Sequence, residues 1–192
     1  MTLWCATTNP GKLREFRLAA QGRIEIAALS TLASIPPLEE HGETFEANAV
    51  EKALYYSRHA PGWLFADDSG LEVDALGGAP GVQSARFAGP GASDEANNRL
   101  LLERLRGVAT PTARFVCVIA LAEKGRLLET FRGVVEGRIL EQPLGQGGFG
   151  YDPLFFYPPF DCSLAEVSAE RKFSASHRGQ ALRAVVGWVA TH

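Results

Sequence analysis

The sequence has few cysteines and no long hydrophobic run. Its three cysteines, Cys5, Cys117 and Cys162, are far apart and show no C-x-x-C spacing, which favours neither a disulfide framework nor a zinc site. Cys5 and Cys117 lie in apolar runs, so we expect them in the core of a protein from a reducing compartment. The longest apolar run, 115–122, is too short to span a bilayer, and the N-terminus lacks a basic segment followed by an apolar one. We therefore expect a cytoplasmic protein with no membrane partner.

An excess of charge of either sign is also lacking. With 19 Lys and Arg against 22 Asp and Glu, the formal net charge is -3. This balance argues against electrostatic capture of duplex nucleic acid, so no nucleic-acid partner is expected, but it is compatible with a local basic pocket for a nucleotide. The 192 residues, 46% of them hydrophobic, predict one globular domain over 1–192 without repeats or linkers.

Hydrophobic periodicity predicts alternating strands and helices. Helical crossovers between the early strands favour parallel pairing, whereas the short turn 123–125 favours an antiparallel hairpin. The predicted fold class is therefore α/β with a mixed central sheet. The expected strands are 3–6, 24–29, 63–66, 114–122, 126–139 and 154–157, and the expected helices are 12–20, 45 to about 59, 93 or 94 to 106, one or two turns in 165–168, and a last helix from 176 or 177.

An acidic segment follows the expected strand 63–66 directly. Asp67 and Asp68 are adjacent, and successive strand residues point to opposite faces, so only one of them can face a given site unless the chain turns. Gly70 would permit such a turn. Two interpretations are open: hard oxygen ligands for a divalent metal, Mg2+ with a phosphate substrate, or a solvated turn in which Asp and Ser cap backbone groups.

Two further segments allow both a ligand-binding and a structural interpretation. The loop 7–12 precedes a helix whose free amides and dipole favour an anion, although its spacing is not that of a P-loop and it would also suit a plain turn. Glu40 lies in the acidic segment 39–43 and would either add an oxygen ligand to a metal near Asp68 or be solvated. Lys52, on the following helix, is a phosphate contact or a residue of an exposed face.

The glycine-rich segment 145–152 has four glycines among its first six residues. Glycine permits close approach of the backbone to a ligand. Phe149 or Tyr151 would then stack on a base, and the alternative is a plain connection whose aromatic rings enter the core.

Lys172, His177 and Arg178 form a basic cluster near the C-terminus. Arginine grips a carbonyl or phosphate oxygen through two donors, whereas such a cluster is otherwise a solvated helix start. No Ser/His/Asp or Cys/His nucleophile arrangement is indicated by the linear order, so covalent catalysis has no support.

Several segments match one family pattern in the right order along the chain. The matching segments are Thr7–Lys12 against T-x-N-x-x-K, Thr44–Phe45 with Asn48–Ala49 and Lys52, Ala66–Leu71, Leu76–Gly81, Ser84–Arg86, Gly148–Pro153 and Ser176–Gly179. With these motifs the chain resembles, from end to end, the inosine triphosphate pyrophosphatases, also called non-canonical purine nucleoside triphosphate pyrophosphatases.

The resemblance implies an activity and an architecture. The activity is hydrolysis of ITP, dITP or XTP to the monophosphate and pyrophosphate with Mg2+, which clears deaminated purines from the nucleotide pool. The architecture is an elongated mixed sheet flanked by helices in two lobes, with the active-site cleft between them and usually a homodimer.

The resemblance also implies roles for individual residues. Asp68 would be the catalytic acid-base residue and a metal ligand, with Glu40 as the second metal ligand. Ser69 would contact the substrate. The triphosphate would be held by Thr7, Thr8, Asn9, Pro10, Gly11, Lys12 and Lys52, and the base and sugar end by Phe149, Gly150, Tyr151, Asp152, Lys172, His177 and Arg178.

Two positions depart from the family pattern, and two other functions compete with it. Gln83 stands where an aromatic residue is usual, which bears on stacking and on the dimer contact, and Ala47 stands where Glu is frequent. The related Maf-like nucleotide pyrophosphatases would act on other nucleotides, but the segments 149–152 and 176–178 argue against them. A nucleotide-binding regulator without turnover is the alternative from another class.

Overall fold

The computed structural model describes residues 2–192 and confirms an α/β fold with a mixed sheet. Seven strands lie in the order β2-β1-β3-β4-β5-β6-β7. β1 pairs in parallel with β2 and β3, whereas β6 is antiparallel to β5 and β7. The strands are β1 Thr2–Cys5, β2 Glu25–Ala28, β3 Leu64–Val73, β4 Thr112–Glu123, β5 Arg126–Ile139, β6 Phe155–Tyr157 and β7 Cys162–Ser163.

The helices begin where the sequence supplies capping side chains. Thr44, Ser93 and Ser176 each accept a hydrogen bond from a backbone amide of the first turn that follows. The helices are α1 Pro10–Ala20, α2 Phe45–Tyr56, α3 Asp94–Arg104, α4 Ala169–Ala175 and α5 His177–Val189. The predicted helical turns in 165–168 are wrong, because that segment forms turns and bends before α4 begins.

The chain divides into two compact units. One comprises the segments up to Asp68, 117–133 and 176–192, and the other comprises 69–116 and 134–175. The core of the first unit contains the α1 ring of Phe16 packed edge-on against Phe65 at 5.1 Å, together with the apolar face of α5. The core of the second contains Phe115 and Phe155, whose rings lie 4.5 Å apart.

No helix within residues 2–192 has both the length and the apolar character needed to cross a membrane. Cys5 and Cys117 are fully buried, as the sequence predicts, and all three cysteines are free thiols. The prediction of a single domain stays a prediction.

Candidate active site

The adjacent aspartates Asp67 and Asp68 are part of a long strand rather than of a turn. β3 continues from Leu64 to Val73, so the chain does not take the turn that Gly70 would permit. Gly70 is needed for a different reason: a Cβ there would clash with Ser84 Oγ and come within 2.7 Å of the Gly81 carbonyl oxygen. Within this strand, Asp67 and Asp68 project to opposite sides, as the alternation of a strand predicts.

Asp67 forms an ion pair with the start of α1. Asn9 caps α1 by accepting from the Lys12 amide at 3.1 Å, and the Lys12 Nζ lies 2.7 Å from Asp67 Oδ2. Burial alone would raise the pKa of Asp67, but the charges of Lys12, Arg178 and Lys52 outweigh it and the pKa is lowered. Asp67 is therefore held as a carboxylate that fixes the loop before α1.

Asp68 contacts α2 instead of α1. Asn48 Nδ2 donates to Asp68 Oδ2 at 3.1 Å, and Lys52 Nζ lies 3.4 Å from Asp68 Oδ1 and 3.2 Å from Glu40 Oε1. Asn48 and Lys52 are one helical turn apart and share a face of α2. We call the group Lys12, Glu40, Asn48, Lys52, Asp67 and Asp68 the charged cluster.

The pKa of Asp68 shifts in the direction opposite to that of its neighbour. Burial raises the pKa of Asp68 by more than Lys52 and the Asn48 hydrogen bond lower it, and the charge of Glu40 adds to the rise. Burial lowers the pKa of Lys52, but Asp68, Asp67 and Glu40 outweigh it and raise the value. Asp68 is thus the carboxylate of the pair that is better suited to accept a proton.

The oxygen donors of the charged cluster are of the kind that Mg2+ prefers. Glu40 and Asp68 approach the same Lys52 ammonium, so their carboxylates converge on one small region. Among residues 2–192, no group of three or more His, Cys, Asp or Glu side chains has a metal-holding arrangement. Mg2+ is commonly bound by one or two carboxylates with water and substrate phosphates, and this pair fits that pattern.

The loop before α1 is accessible to a ligand. Thr8, Asn9 and Pro10 are exposed, and Thr7 Oγ1 accepts from the Asn9 amide at 3.2 Å. Lys12 Nζ is already paired with Asp67, so its charge is fixed at the edge of this loop. An exposed helix N-terminus with a fixed ammonium suits an anion such as phosphate.

His177 and Arg178 begin α5 and are buried. Arg178 NH1 lies 2.8 Å from Glu15 Oε2 of α1, and both side chains are almost fully buried. The sequence patterns did not indicate Glu15 or Asn48 as partners, because Glu15 has the spacing of an ordinary helix residue. The Glu15–Arg178 contact joins residues 163 positions apart, which local spacing cannot show.

The glycine-rich loop, defined as residues 145–152, is held by Asp152. Asp152 Oδ2 accepts from the Phe149 amide at 2.9 Å and lies 2.5 Å from Lys172 Nζ, and both Asp152 and Lys172 are buried. A Cβ at Gly148 would clash with the Asp152 side chain. Lys172 thus pairs with Asp152, whereas Arg178 pairs with Glu15.

Only one of the two aromatic residues of this loop has an accessible ring. Tyr151 is buried, and its hydroxyl donates to the Ser84 carbonyl at 2.8 Å, which makes its ring part of the core. Phe149 is half-buried, with Lys172 Nζ 5.0 Å from its ring centroid. Phe149 is therefore the ring that can stack on a base.

Two acidic residues further along the chain from Asp68 take structural roles. Glu72 and Asp74 both pair with Arg114, at 3.6 Å and 2.9 Å. Gln83 accepts from Arg86 Nε at 2.6 Å. Ser69 follows Asp68 on β3 and is half-buried.

Comparisons with known proteins identify the family. The model of the Ham1 family matches residues 3–188. A protein of Acidobacterium capsulatum named dITP/XTP pyrophosphatase is 50% identical over 196 residues, covering 97% of each chain. A protein of the same name from an Exiguobacterium species is 51% identical over 185 residues, covering 95% of this chain and 94% of the relative.

A solved structure agrees with the fold. The structure of a HAM1 protein from Coxiella burnetii superposes with a TM-score of 0.89 at 37% sequence identity and covers 100% of both chains. Because the sequence matches the family model across nearly the whole chain and the fold matches a HAM1 structure to this extent, this chain belongs to the Ham1 family.

Proposed function

We propose that this chain hydrolyses non-canonical purine nucleoside triphosphates, namely ITP, dITP and XTP, to the monophosphate and pyrophosphate. The observation that carries the proposal is the pairing of Asp68 with Lys52, Asn48 and Glu40 beside the α1 loop. The names of the two relatives at 50% and 51% identity support the same activity and the same base preference.

Asp68 acts as the general base. Its raised pKa makes it a better proton acceptor than a solvated aspartate, and its position against Lys52 keeps it oriented. A water oxygen attacks the α-phosphorus and transfers its proton to the Asp68 carboxylate, while the bond from the α-phosphorus to the bridging oxygen breaks. The electron pair of that bond leaves with pyrophosphate.

The cations of the charged cluster bind the leaving group. Lys52, together with Lys12 and the amides of the loop 7–12, offers positive charge to the triphosphate, and Ser69 offers a hydroxyl. Mg2+ would be held by Asp68 and Glu40 and would supply charge neutralisation and acidify a bound water.

The base and sugar end is assigned to the glycine-rich loop. Phe149 stacks on the purine, and Gly150, Tyr151 and Asp152 shape the loop around it. The family resemblance assigns the remaining contacts to the base and sugar to Lys172, His177 and Arg178.

Base selection follows from hydrogen bonding. Hypoxanthine and xanthine carry an acceptor oxygen at C6 where adenine carries an amino donor, so donors from Arg178, or from loop amides other than those of Phe149 and Gly150, favour the first two bases. Leaving a buried donor unpaired costs about 1 to 3 kcal/mol. Two such contacts would favour dITP over dATP by roughly 30-fold to 10^4-fold if additive. Exclusion of GTP must act at the 2-amino group.

The proposal also covers the domain extent, the oligomeric state, the location and the partners of the enzyme. We infer a single catalytic domain over 1–192 that works as a homodimer in the cytoplasm, without nucleic acid as a partner. The family match over 3–188 supports the extent of the domain. Gel filtration with light scattering tests the dimer, and a monomeric, fully active enzyme would contradict it.

Pyrophosphate release tests the proposed activity. The substrates are dITP, XTP, GTP and dATP, each with Mg2+ and with a chelator instead. We expect one pyrophosphate per dITP or XTP consumed, little from GTP and dATP, and loss of turnover with the chelator. Tight binding of dITP without release would point to a regulator, and turnover confined to other nucleotides would point to the Maf-like group.

A further inference from the structure

The backbone of Gly150 is held from both sides by α3. Asp94 Oδ2 accepts from the Gly150 amide at 2.7 Å, and Asn98 Nδ2 donates to the Gly150 carbonyl oxygen at 3.0 Å. Asp94 and Asn98 are four residues apart and therefore lie on one face of the helix. One face of α3 thus satisfies both polar groups of a single glycine in the middle of the glycine-rich loop.

The contribution of Asn98 to folding stability does not explain why an asparagine stands at this position. A carbonyl oxygen only accepts, so the amide nitrogen of Asn98 must face Gly150, and the buried Asn98 Oδ1 is left without a partner among residues 2–192. A buried acceptor without a donor is costly. The neighbouring Asn97 differs, because its Oδ1 accepts from the Ala88 amide at 2.8 Å and its Nδ2 donates to the Ala85 carbonyl at 3.3 Å.

The loop has room to shift if this hold is released. A groove of about 420 Å³ lies between α3 and the loop and is lined by Asp94, Asn98 and Leu102 on one side. Gly145, Gly148 and Gly150 all adopt positive φ, a backbone region that glycine enters without a Cβ clash. Asp152 fixes the Phe149 amide and Tyr151 is anchored on Ser84, which leaves Gly150 to α3.

We propose that Asp94 and Asn98 are positioning residues that fix Gly150 and thereby set the place of the Phe149 ring for the purine base. This inference rests on the proposed function and adds the element that holds the base-binding loop in place. Neither side chain is assigned contact with the reacting phosphorus. Loss of the hold therefore weakens binding of the base and leaves the chemical step at Asp68 intact.

Substitutions at the two positions separate KM from kcat. Asp94→Ala should raise KM for dITP about fivefold and Asn98→Leu about tenfold, as expected for hydrogen bonds of ordinary strength. In both variants kcat should stay within about twofold of the wild type, because no charged-cluster residue changes. Asp94→Asn keeps an acceptor oxygen and should restore a KM close to that of the wild type.

Matched controls distinguish positioning from stability. Glu95→Ala removes the same charge from the same helical turn, but the Glu95 carboxylate interacts with Ser93, so its KM should not change. Asn98→Leu keeps the branched shape and removes the unpaired oxygen. The variant also leaves the Gly150 carbonyl oxygen without its donor, so the two effects oppose each other and its melting temperature should stay close to that of the wild type, whereas a merely structural Asn98 predicts a clearly lower one.

Amide hydrogen exchange over 145–152 of the free protein tests, without turnover, whether α3 holds the loop. The amides of this segment should exchange at least several times faster in Asp94→Ala and Asn98→Leu than in the wild type, and at the wild-type rate in Glu95→Ala. Unchanged exchange overturns the inference, as does faster exchange with unchanged KM in an active enzyme. A wild type that releases no pyrophosphate from dITP or XTP overturns the proposed function, and with it the base-positioning role, whatever the exchange rates show.

Discussion

The charged cluster and the glycine-rich loop are built in different ways. In the charged cluster, side chains from α1, α2 and the segment before α2 hold side chains of β3 through ion pairs. In the glycine-rich loop, side chains of Asp94, Asn98 and Asp152 hold the backbone itself. The triphosphate is the same in every nucleoside triphosphate and is bound by positive charge. A base is distinguished by its hydrogen bonds, and these require the groups around it to be held in fixed positions.

A second contrast lies within the charged cluster. The pKa of Asp67 is lowered by Lys12, Arg178 and Lys52 against the effect of burial, whereas burial raises the pKa of Asp68. Adjacent residues of the same type therefore differ: Asp67 is held as a carboxylate by Lys12, and Asp68 is the residue that the proposed mechanism uses as the proton acceptor.

The largest expected effect is on turnover in Asp68→Asn. Removing a positioned general base costs roughly 10^2- to 10^4-fold, so kcat for dITP should fall about 10^3-fold. The loss should be the same for XTP, because the phosphates are identical. Stopped assays of pyrophosphate release measure it. Asp74→Asn is the matched control, since Asp74 pairs with Arg114, and near-normal turnover in Asp68→Asn would refute the assignment.

The next effect is on stability in Asp67→Asn. The variant leaves the Lys12 ammonium without its buried partner, and we expect the free energy of unfolding to fall by about 2 kcal/mol. Lys12 is partly exposed and recovers some hydration, which keeps the loss below that of a fully buried pair. Urea denaturation measures it. Asp68→Asn serves as the comparison and should lose less than about 1 kcal/mol, because the neutral side chain suits its buried site; equal losses would erase the contrast.

The smallest effect is on substrate binding in Phe149→Ala. Aromatic stacking contributes about 0.5–1.5 kcal/mol, so KM should rise up to about tenfold for dITP and XTP, with kcat nearly unchanged. Steady-state kinetics measure it. Phe156→Ala removes a ring of similar exposure that packs under Arg138, and it should leave KM unchanged. A fall in kcat alone would assign Phe149 to the chemical step.

Helices and core strands followed from the sequence because their signals are local. The caps Thr44, Ser93 and Ser176 precede helices at the expected places, and the mixed sheet follows from the connection lengths. The length of β3 did not follow, since aspartates and Gly70 disfavour strands in isolation and tertiary packing decides. The partners of Asp68 and Arg178 also did not follow, because contacts of Asn48 and Glu15 depend on how distant elements pack.

The most direct test of the separate roles is inhibition by the two ends of the substrate. Deoxyinosine and pyrophosphate are used as inhibitors of the wild type, Lys52→Met and Phe149→Ala, with Lys124→Met as the control for loss of a lysine. Lys52→Met should weaken pyrophosphate about tenfold and leave deoxyinosine within twofold, and Phe149→Ala should do the reverse. If either variant weakens both inhibitors equally, the two regions do not bind separate ends of the substrate.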